Sequence, residues 1–297
     1  MKPLVTIIIP LYNRSTIIGE TIDSILNQTY QHIEVIVIDD QSTDNSLQIA
    51  KSYESISNKI KVIQRQSSET KGANSCRNIG LSLAKGQYVK WIDSDDVLNL
   101  NIIELQVDDI IKSKSDISVC RAKKFIQRDL TLEKEWLEEW GNINNKPSVE
   151  NFCSYKFIWH TSAGLWDINF LKKTSNWDIY LMNSQEWLFH LTALANGAFV
   201  SIINEFGSFI RMHENSMSHH SNKKGKYYYH ECLARYKAMN ILYKKKHKEI
   251  KSYLLLFKKF RWYQLFTFYK GSSFLGIKLF VFYPNLFQML ILIKSRK

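Results

Sequence analysis

The sequence has only four cysteines, Cys76, Cys120, Cys153 and Cys232, and no two of them form a CxxC pair. Such spacing suits neither a zinc site nor a disulfide framework, and it fits free thiols in a reducing cytosol. No signal peptide is expected either. The first apolar run, Val5 to Ile9, spans five residues before Pro10, too short for the apolar region of a leader. The active part is therefore expected to stay in the cytoplasm. Long clean apolar runs are lacking as well. Phe274 to Ile293 is greasy but is interrupted by Lys278, Pro284, Asn285 and Gln288, which fits a shallow or re-entrant anchor better than a span. There are no internal repeats. Acidic residues nearly vanish from the last quarter, where 18 Lys and Arg after residue 222 face only Glu231 and Glu249. The tail thus carries +16 and the first 222 residues −4. A tail of that charge expects an anionic surface, either phospholipid head groups or nucleic acid.

What is present is a chain of 297 residues, 45% hydrophobic and 13% aromatic, which excludes a largely disordered protein. Two hydrophobic periods alternate over the first 120 residues. Leu4 to Ile9 is a continuous β-branched run that suits a strand buried on both faces. Ser15 or Thr16 caps a helix carrying Ile18, Ile22, Ile25 and Leu26 on one side. Ile33 to Ile38 is a second buried strand, halted by Asp39-Asp40, and Asp44 opens a helix with Leu47, Ala50 and Tyr53 on one face. A strand from Ile60 to Ile63, a helix from Gly72 to Ala84 and a strand from Tyr88 to Ile92 follow. A helix from Leu100 to Lys112 and a strand from Ile117 to Cys120 complete this part. The alternation predicts an α/β fold with a mainly parallel sheet flanked by helices. Ligands in such folds bind beyond the carboxyl ends of the strands, where Tyr12-Asn13-Arg14, Asp39-Asp40 and Asp93 to Asp96 converge.

Residues 122 to 160, with Trp136, Trp140 and Trp159 among charges, read as a connection into a second half of the site. Trp187 to Ala195 then reads as a helix and Phe199 to Ile203 as a strand. Beyond Ser221 the chain becomes helical, basic and aromatic.

The chemistry centres on Asp93-Ser94-Asp95-Asp96, after a strand and before a helix. Oxygen ligands on a tight loop suit a hard cation such as Mn²⁺ or Mg²⁺ shared with a phosphate. An acidic helix cap is the plain alternative. A calcium loop fails: Glu104 lies eleven positions after Asp93, but Val97 and Leu98 stand where an oxygen ligand and a glycine are needed.

Four stretches taken together narrow the reading: Val5 to Arg14, Val37 to Asp44, Gly72 to Gly80 with Arg77-Asn78, and Trp91 to Asp96. Their order and spacing closely resemble the family 2 glycosyltransferases over residues 4 to 112. The resemblance implies a GT-A fold, a Rossmann-like nucleotide-binding half merged with an acceptor-binding half, here followed by a helical, basic C-terminal extension. It implies donor contacts from Pro10, Tyr12, Arg14, Asp40, Arg77, Asp93 and Ser94, and a DxD metal site at Asp93 and Asp95. Ser184-Gln185-Glu186-Trp187 stands where the family carries an acidic pair before Trp. By that likeness Glu186 is the catalytic base, with Gln185 replacing the preceding acid. A base there takes the acceptor's proton while the oxygen attacks the anomeric carbon and inverts it. A helix-terminal Glu favoured by the dipole is the structural alternative. Arg211-Met212-His213 to Ser218 resembles the family's closing segment, putting Arg211 at the diphosphate and His213 at the diphosphate or metal. Trp166 and Trp187 are of a kind that stacks on sugars but more often fills a core.

The resulting expectation is a catalytic domain over 1–222, with a nucleotide-sugar half (1–120) and an acceptor half (121–222), and a basic tail over 223–297. The activity expected is an inverting, metal-dependent hexosyltransferase of cell-surface polysaccharide synthesis, using a nucleotide sugar, UDP-linked by preference, and a glycan or lipid-linked acceptor. In the tail, Tyr253, Leu256, Phe257, Phe260 and Tyr263 share one helical face, with Lys251, Lys258, Lys259 and Arg261 towards the other. This fits an interfacial helix, so residues 250–297 are expected to hold the enzyme at the inner face of the membrane. Packing on its own domain or on a second copy is the competing use, which leaves a dimer open. A sugar nucleotidyltransferase would need a Gly-rich loop after the first strand, and Leu11 to Ser15 has no glycine. A nucleic-acid-binding module finds no support in the acidic body, and no nucleic-acid partner is expected.

Overall fold

The computed structural model describes residues 2–127, 133–174, 176–213 and 225–269. In chain order the first elements are β1 (Val5–Leu11), α1 (Ile18–Leu26), β2 (Ile33–Asp39), α2 (Ser46–Ile56), β3 (Ile60–Gln64) and α3 (Ala73–Leu83). Next come β4 (Tyr88–Trp91), β5 (Val97–Leu98), α4 (Ile102–Ser113), β6 (Ile117–Ile126) and β7 (Glu135–Trp140). Then α5 (Val149–Cys153), β8 (Gly164–Asp167), α6 (Ile168–Lys172), α7 (Gln185–Ala195) and β9 (Val200–Met212) follow. The helices α8 (Gly225–Lys244) and α9 (Ile250–Tyr269) close the described part. The chain divides into two compact units. The first contains Met1–Ile143, Ile158–Ile179 and Ala198–Ser216, and the second Asn144–Phe157, Tyr180–Gly197 and Met217–Lys297. The tail helices thus share a unit with two segments drawn from before residue 222.

The first unit carries the sheet, in the order β3-β2-β1-β4-β8-β6-β9-β5, with β7 paired to β6. The strands β3, β2, β1 and β4 are mutually parallel, as the alternating periods predict. Every residue of β1 is buried, because helices on both faces leave no polar side to the strand. The other half is mixed. β8 runs antiparallel to both β4 and β6, while β6 and β9 are parallel. Only the half around β1 therefore has the mainly parallel form expected. The strand expected at Ile117 to Cys120 extends to Ile126, and the segment read as a connection supplies β7 and α5.

Two packing details hold the β4 region. Gly80 of α3 lies so close to β1 that a Cβ there would meet Ile8 Cγ2 at 2.4 Å, so any larger residue would push helix from sheet. Lys90 of β4 is fully buried, and its ammonium donates to Gln106 Oε1 at 2.8 Å. Gln106 Nε2 in turn donates to the carbonyls of Ser118 and Ala163, at 2.9 and 2.8 Å. Burial pulls the Lys90 ammonium down to about 8. One glutamine of α4 therefore links β4 and β6 to the residue preceding β8, where the parallel order gives way.

In the second unit α8 and α9 pack along each other. Cys232, Ala234 and Ala238 of α8 are fully buried, the Cys232 thiol lying 3.6 Å from the Phe260 carbonyl, and Tyr253, Leu256 and Phe260 of α9 are buried too. These three belong to the apolar face expected to enter a membrane interface. Each gains roughly 2 kcal/mol by leaving water, whereas a basic residue near an anionic surface gains about 1 kcal/mol. Packing within the unit therefore takes that face. Lys251, Leu254, Lys258, Lys259, Arg261 and Trp262 of α9 are exposed. No helix among the described residues is long and apolar enough to cross a membrane. The greasy stretch Phe274 to Ile293 lies outside the described residues.

Candidate functional site

The carboxyl ends of β1, β2 and β4 bring their polar clusters to one edge of the parallel half-sheet, and side chains then fasten them loop to loop. Asn13, at φ 50°, receives the Thr43 backbone N–H on Oδ1 at 2.8 Å, while its own N–H donates to Ser42 Oγ at 3.1 Å. The Arg14 and Ser15 N–H groups donate to Ser46 Oγ (2.6 Å) and Asp44 Oδ2 (3.1 Å). Burial alone would raise the Asp44 carboxyl, but its bonds from Ser46 and Ser15 bring it down to about 2. The first and second loops are thereby locked in register.

Pro10 is a buried residue of β1, and Tyr12, just beyond that strand, is 38% exposed. Lys71 Nζ stands over the Tyr12 ring at 4.2 Å and also donates to its hydroxyl at 3.1 Å. Asp40 is buried, accepts the Gly72 N–H at 3.0 Å on one oxygen and forms an ion pair with buried Arg65 through the other. In this structure Asp40 ties the loops that follow β2 and β3 to the start of α3.

The loop Asp93 to Asp96 is the electrostatic centre. Arg77 donates to Asp93 Oδ1 at 2.6 Å and to Asn74 Oδ1 at 3.0 Å, with its guanidinium 4.6 Å from the Trp177 ring. Asp95 Oδ2 lies 3.1 Å from Arg14 Nε and 2.9 Å from His213 Nε2. Burial works against the Asp95 anion, yet the His213 hydrogen bond and the Arg14 charge hold it below the usual carboxylate range. Asp96 behaves oppositely. Its burial, reinforced by the charges of Asp95 and Asp93, pushes its carboxyl well above the usual range. It is held by Ser162 Oγ at 3.1 Å and the Arg211 N–H at 3.3 Å, with His160 Nδ1 3.7 Å away. Ser94 is buried within the loop.

Arg211, which the family resemblance puts at the diphosphate, lies beneath this loop and is 4% exposed. Its guanidinium bonds the Asp95 carbonyl at 3.2 Å, Gln127 Oε1 at 2.8 Å and the Glu20 carboxylate. Here it is a fixture of the acidic loop. His213 reaches the loop directly, while Glu214 to Ser218, the remainder of the closing segment, lies outside the described residues, as do His219 and His220.

Three carboxylates in one short loop, one driven towards its protonated form by burial and further by the charges of the other two, make a donor set whose repulsion a hard dication would relieve. The residues therefore fit the metal expected of them. Ligand atoms of Asp93, Asp96 and His160 lie within 4.8 Å of one another, and Asp95 is bonded to His213. His160, Ser162, Trp177 and Lys71 were not singled out by sequence. No spacing or motif marks them: His160 and Ser162 reach Asp96, Trp177 reaches Arg77 and Lys71 reaches Tyr12, each from a segment distant in sequence.

In the second unit, Glu186 lies in the first turn of α7 and is half-buried. The helix starts two residues earlier than the expected Trp187. Trp187 is 9% exposed and packs at 5.8 Å from Phe152, and Trp166 of the first unit is also core, so neither offers a sugar-stacking face.

The sequence profile described as "Glycosyl transferase family 2" matches residues 6–165. The chain belongs to this family. The glycosyltransferase GlyG of Streptococcus pneumoniae is 30% identical over 57% of this chain and 53% of its own length. The uncharacterized glycosyltransferase EpsJ of Bacillus subtilis is 28% identical over 73% and 64%. TuaG of Bacillus subtilis, named for a suggested role in teichuronic acid biosynthesis, is 35% identical over 45% and 52%. The chain therefore spans about half to two thirds of the length of these curated relatives. Among solved structures, S. aureus TarS 1-349 in complex with UDP-GlcNAc aligns with a TM-score of 0.61 at 20% identity, over 81% of this chain and 70% of that one. The mannosyltransferase PcManGT of Pyrobaculum calidifontis, in complex with GDP-Man and Mn²⁺, aligns at 0.60 and 14% identity over 99% and 85%. These likenesses establish the GT-A fold of the chain.

Proposed function

We propose that this glycosyltransferase moves a hexose from a nucleoside-diphosphate donor, UDP-linked by preference, to a hydroxyl of a glycan or lipid-linked acceptor in cell-surface polysaccharide synthesis. Transfer inverts the anomeric carbon. The observation that carries the reading is the Asp93 to Asp96 loop, where crowded carboxylates stand between Arg77, Arg14 and His213. Such a mixture of anions and cations suits a diphosphate accompanied by a dication.

In this reading residues 1–120 serve the donor and 121–222 the acceptor. Tyr12 offers a ring for the base to stack on, Pro10 shapes the strand end beneath it and Asp40 addresses the ribose. Arg14, Arg77 and Ser94 border the diphosphate, and Arg211 holds the loop from below. Asp93, Asp95 and His213 would hold Mn²⁺ or Mg²⁺, which when bound neutralises the departing diphosphate. Glu186 takes the acceptor's proton. UDP-, GDP- and dTDP-sugars should be compared by thermal shift. Stabilisation by one nucleotide class, present with Mn²⁺ and lost with chelator, is the expected result. Equal shifts without metal would reject the site.

The same reading places the enzyme in the cytoplasm at the inner face of the membrane, held by the basic residues of 250–297. With the apolar face of α9 buried, the exposed Lys251, Leu254, Lys258, Arg261 and Trp262 form the side suited to anionic lipid. The protein should float with phosphatidylserine-containing vesicles at low salt and leave them at high salt. Flotation with neutral vesicles alone would reject an electrostatic anchor.

A further inference from the structure

We propose that Arg235 and Glu231, on helix α8 of the basic tail, are positioning residues for Glu186 and act through Ser184. The inference rests on Glu186 being the base.

The residue entering α7 is Ser184, a non-glycine at φ 55° and ψ 16°. That left-handed conformation costs an L-residue about 1–2 kcal/mol, so something must hold it. The Ser184 hydroxyl donates to Glu231 Oε1 at 2.5 Å and receives Arg235 NH1 at 2.8 Å. Glu231 Oε1 also accepts Asn183 Nδ2 at 2.6 Å. On the far side of the base, the Arg235 guanidinium stacks 4.2 Å from the Trp187 ring. Positions 183, 184 and 187 are thus all fixed by two residues of α8, with Gln185 and Glu186 between them. The clamp is itself braced: Arg235 pairs with Glu231 at 2.9 Å, donates to the Tyr155 hydroxyl and lies 5.2 Å from the Tyr263 ring of α9.

Stability alone is a poor account of this arrangement. Arg235 and Glu231 are 2% and 5% exposed, and desolvating two charges offsets most of what their attraction returns. Apolar residues would pack there as well. What they would not do is hold a strained serine and the following turn in one geometry. A placement error of about 1 Å at a reacting group costs roughly a hundredfold in rate, so geometry is where the pair has its effect.

The test uses the full chain, with kcat expressed per donor-binding site so that misfolded molecules are not counted. Ser184→Ala removes the hydroxyl but leaves the buried pair intact. Arg235→Lys keeps a cation beside Glu231 but cannot reach Ser184 and Tyr155 together. Both should lower kcat by about 10- to 100-fold, with donor affinity within about twofold of the parent. Ser184→Gly should lose less than Ser184→Ala, because glycine takes φ 55° without strain. Parental kcat in Ser184→Ala and Arg235→Lys, or a loss confined to donor affinity, overturns the clamp. Glu186→Gln, run alongside, separates the two claims. If it loses kcat while the clamp variants keep theirs, only the clamp falls; if it keeps parental kcat, the base assignment falls and this inference with it.

Discussion

Asp95→Asn is expected to lower kcat about a thousandfold, in line with the loss of a group that stabilises developing charge. The substitution is nearly isosteric and keeps an oxygen for Arg14 and His213, which now bond the Asp95 carboxylate. What it removes is the charge. That charge is maintained against burial by the His213 hydrogen bond and the Arg14 charge, so the loop uses two partners to keep this one carboxylate ionised. If the carboxylate were only a helix cap, its loss would cost about 1 kcal/mol of stability and leave the rate nearly unchanged. Steady-state kinetics with and without chelator distinguish the cases. A parental rate that still requires Mn²⁺ would remove Asp95 from the metal site.

Glu186→Gln should lower kcat by about 10²- to 10⁴-fold, the range for removal of a general base. The amide fills the same volume at the first turn of α7, so the helix and the buried Trp187 behind it should persist. Nucleotide binding, measured by calorimetry, should be retained. A helix-terminal Glu that serves only the dipole is worth 0.3–1 kcal/mol, visible as a small drop in Tm with kcat unaltered. That pattern would assign the proton transfer to another residue.

The parallel half of the fold was legible in the sequence because its strands are uninterrupted apolar runs closed by polar residues. Val5 to Ile9 and Ile33 to Ile38 both behave so, and both are central strands. The other half was not. β8 is four residues, Gly164 to Asp167, with no period to read, and its place between β4 and β6 is set by antiparallel pairing with both. The acidic loop stood out by its residue types, and its partners Arg14, Arg77 and His213 through the family resemblance. His160 and Ser162 were missed because they reach Asp96 by topology. The tail shows the limit of amphipathicity: a helical apolar face predicts burial without naming the partner, and here Tyr253, Leu256 and Phe260 are buried within a unit where α9 packs on α8 and α5.

The acidic loop also bears on how the protein is made. Asp95 draws one partner from just after β1 and the other from 118 residues further along, just beyond β9. Asp96 likewise awaits Ser162 and Arg211. A nascent chain that has emerged only as far as α4 holds four parallel strands and a cluster of carboxylates whose partners Ser162, Arg211 and His213 are not yet synthesised. The long-range closure comes last and is the slow kind of contact. Competence to bind a nucleotide should therefore appear late in synthesis, well after the strands that resemble a nucleotide fold have paired.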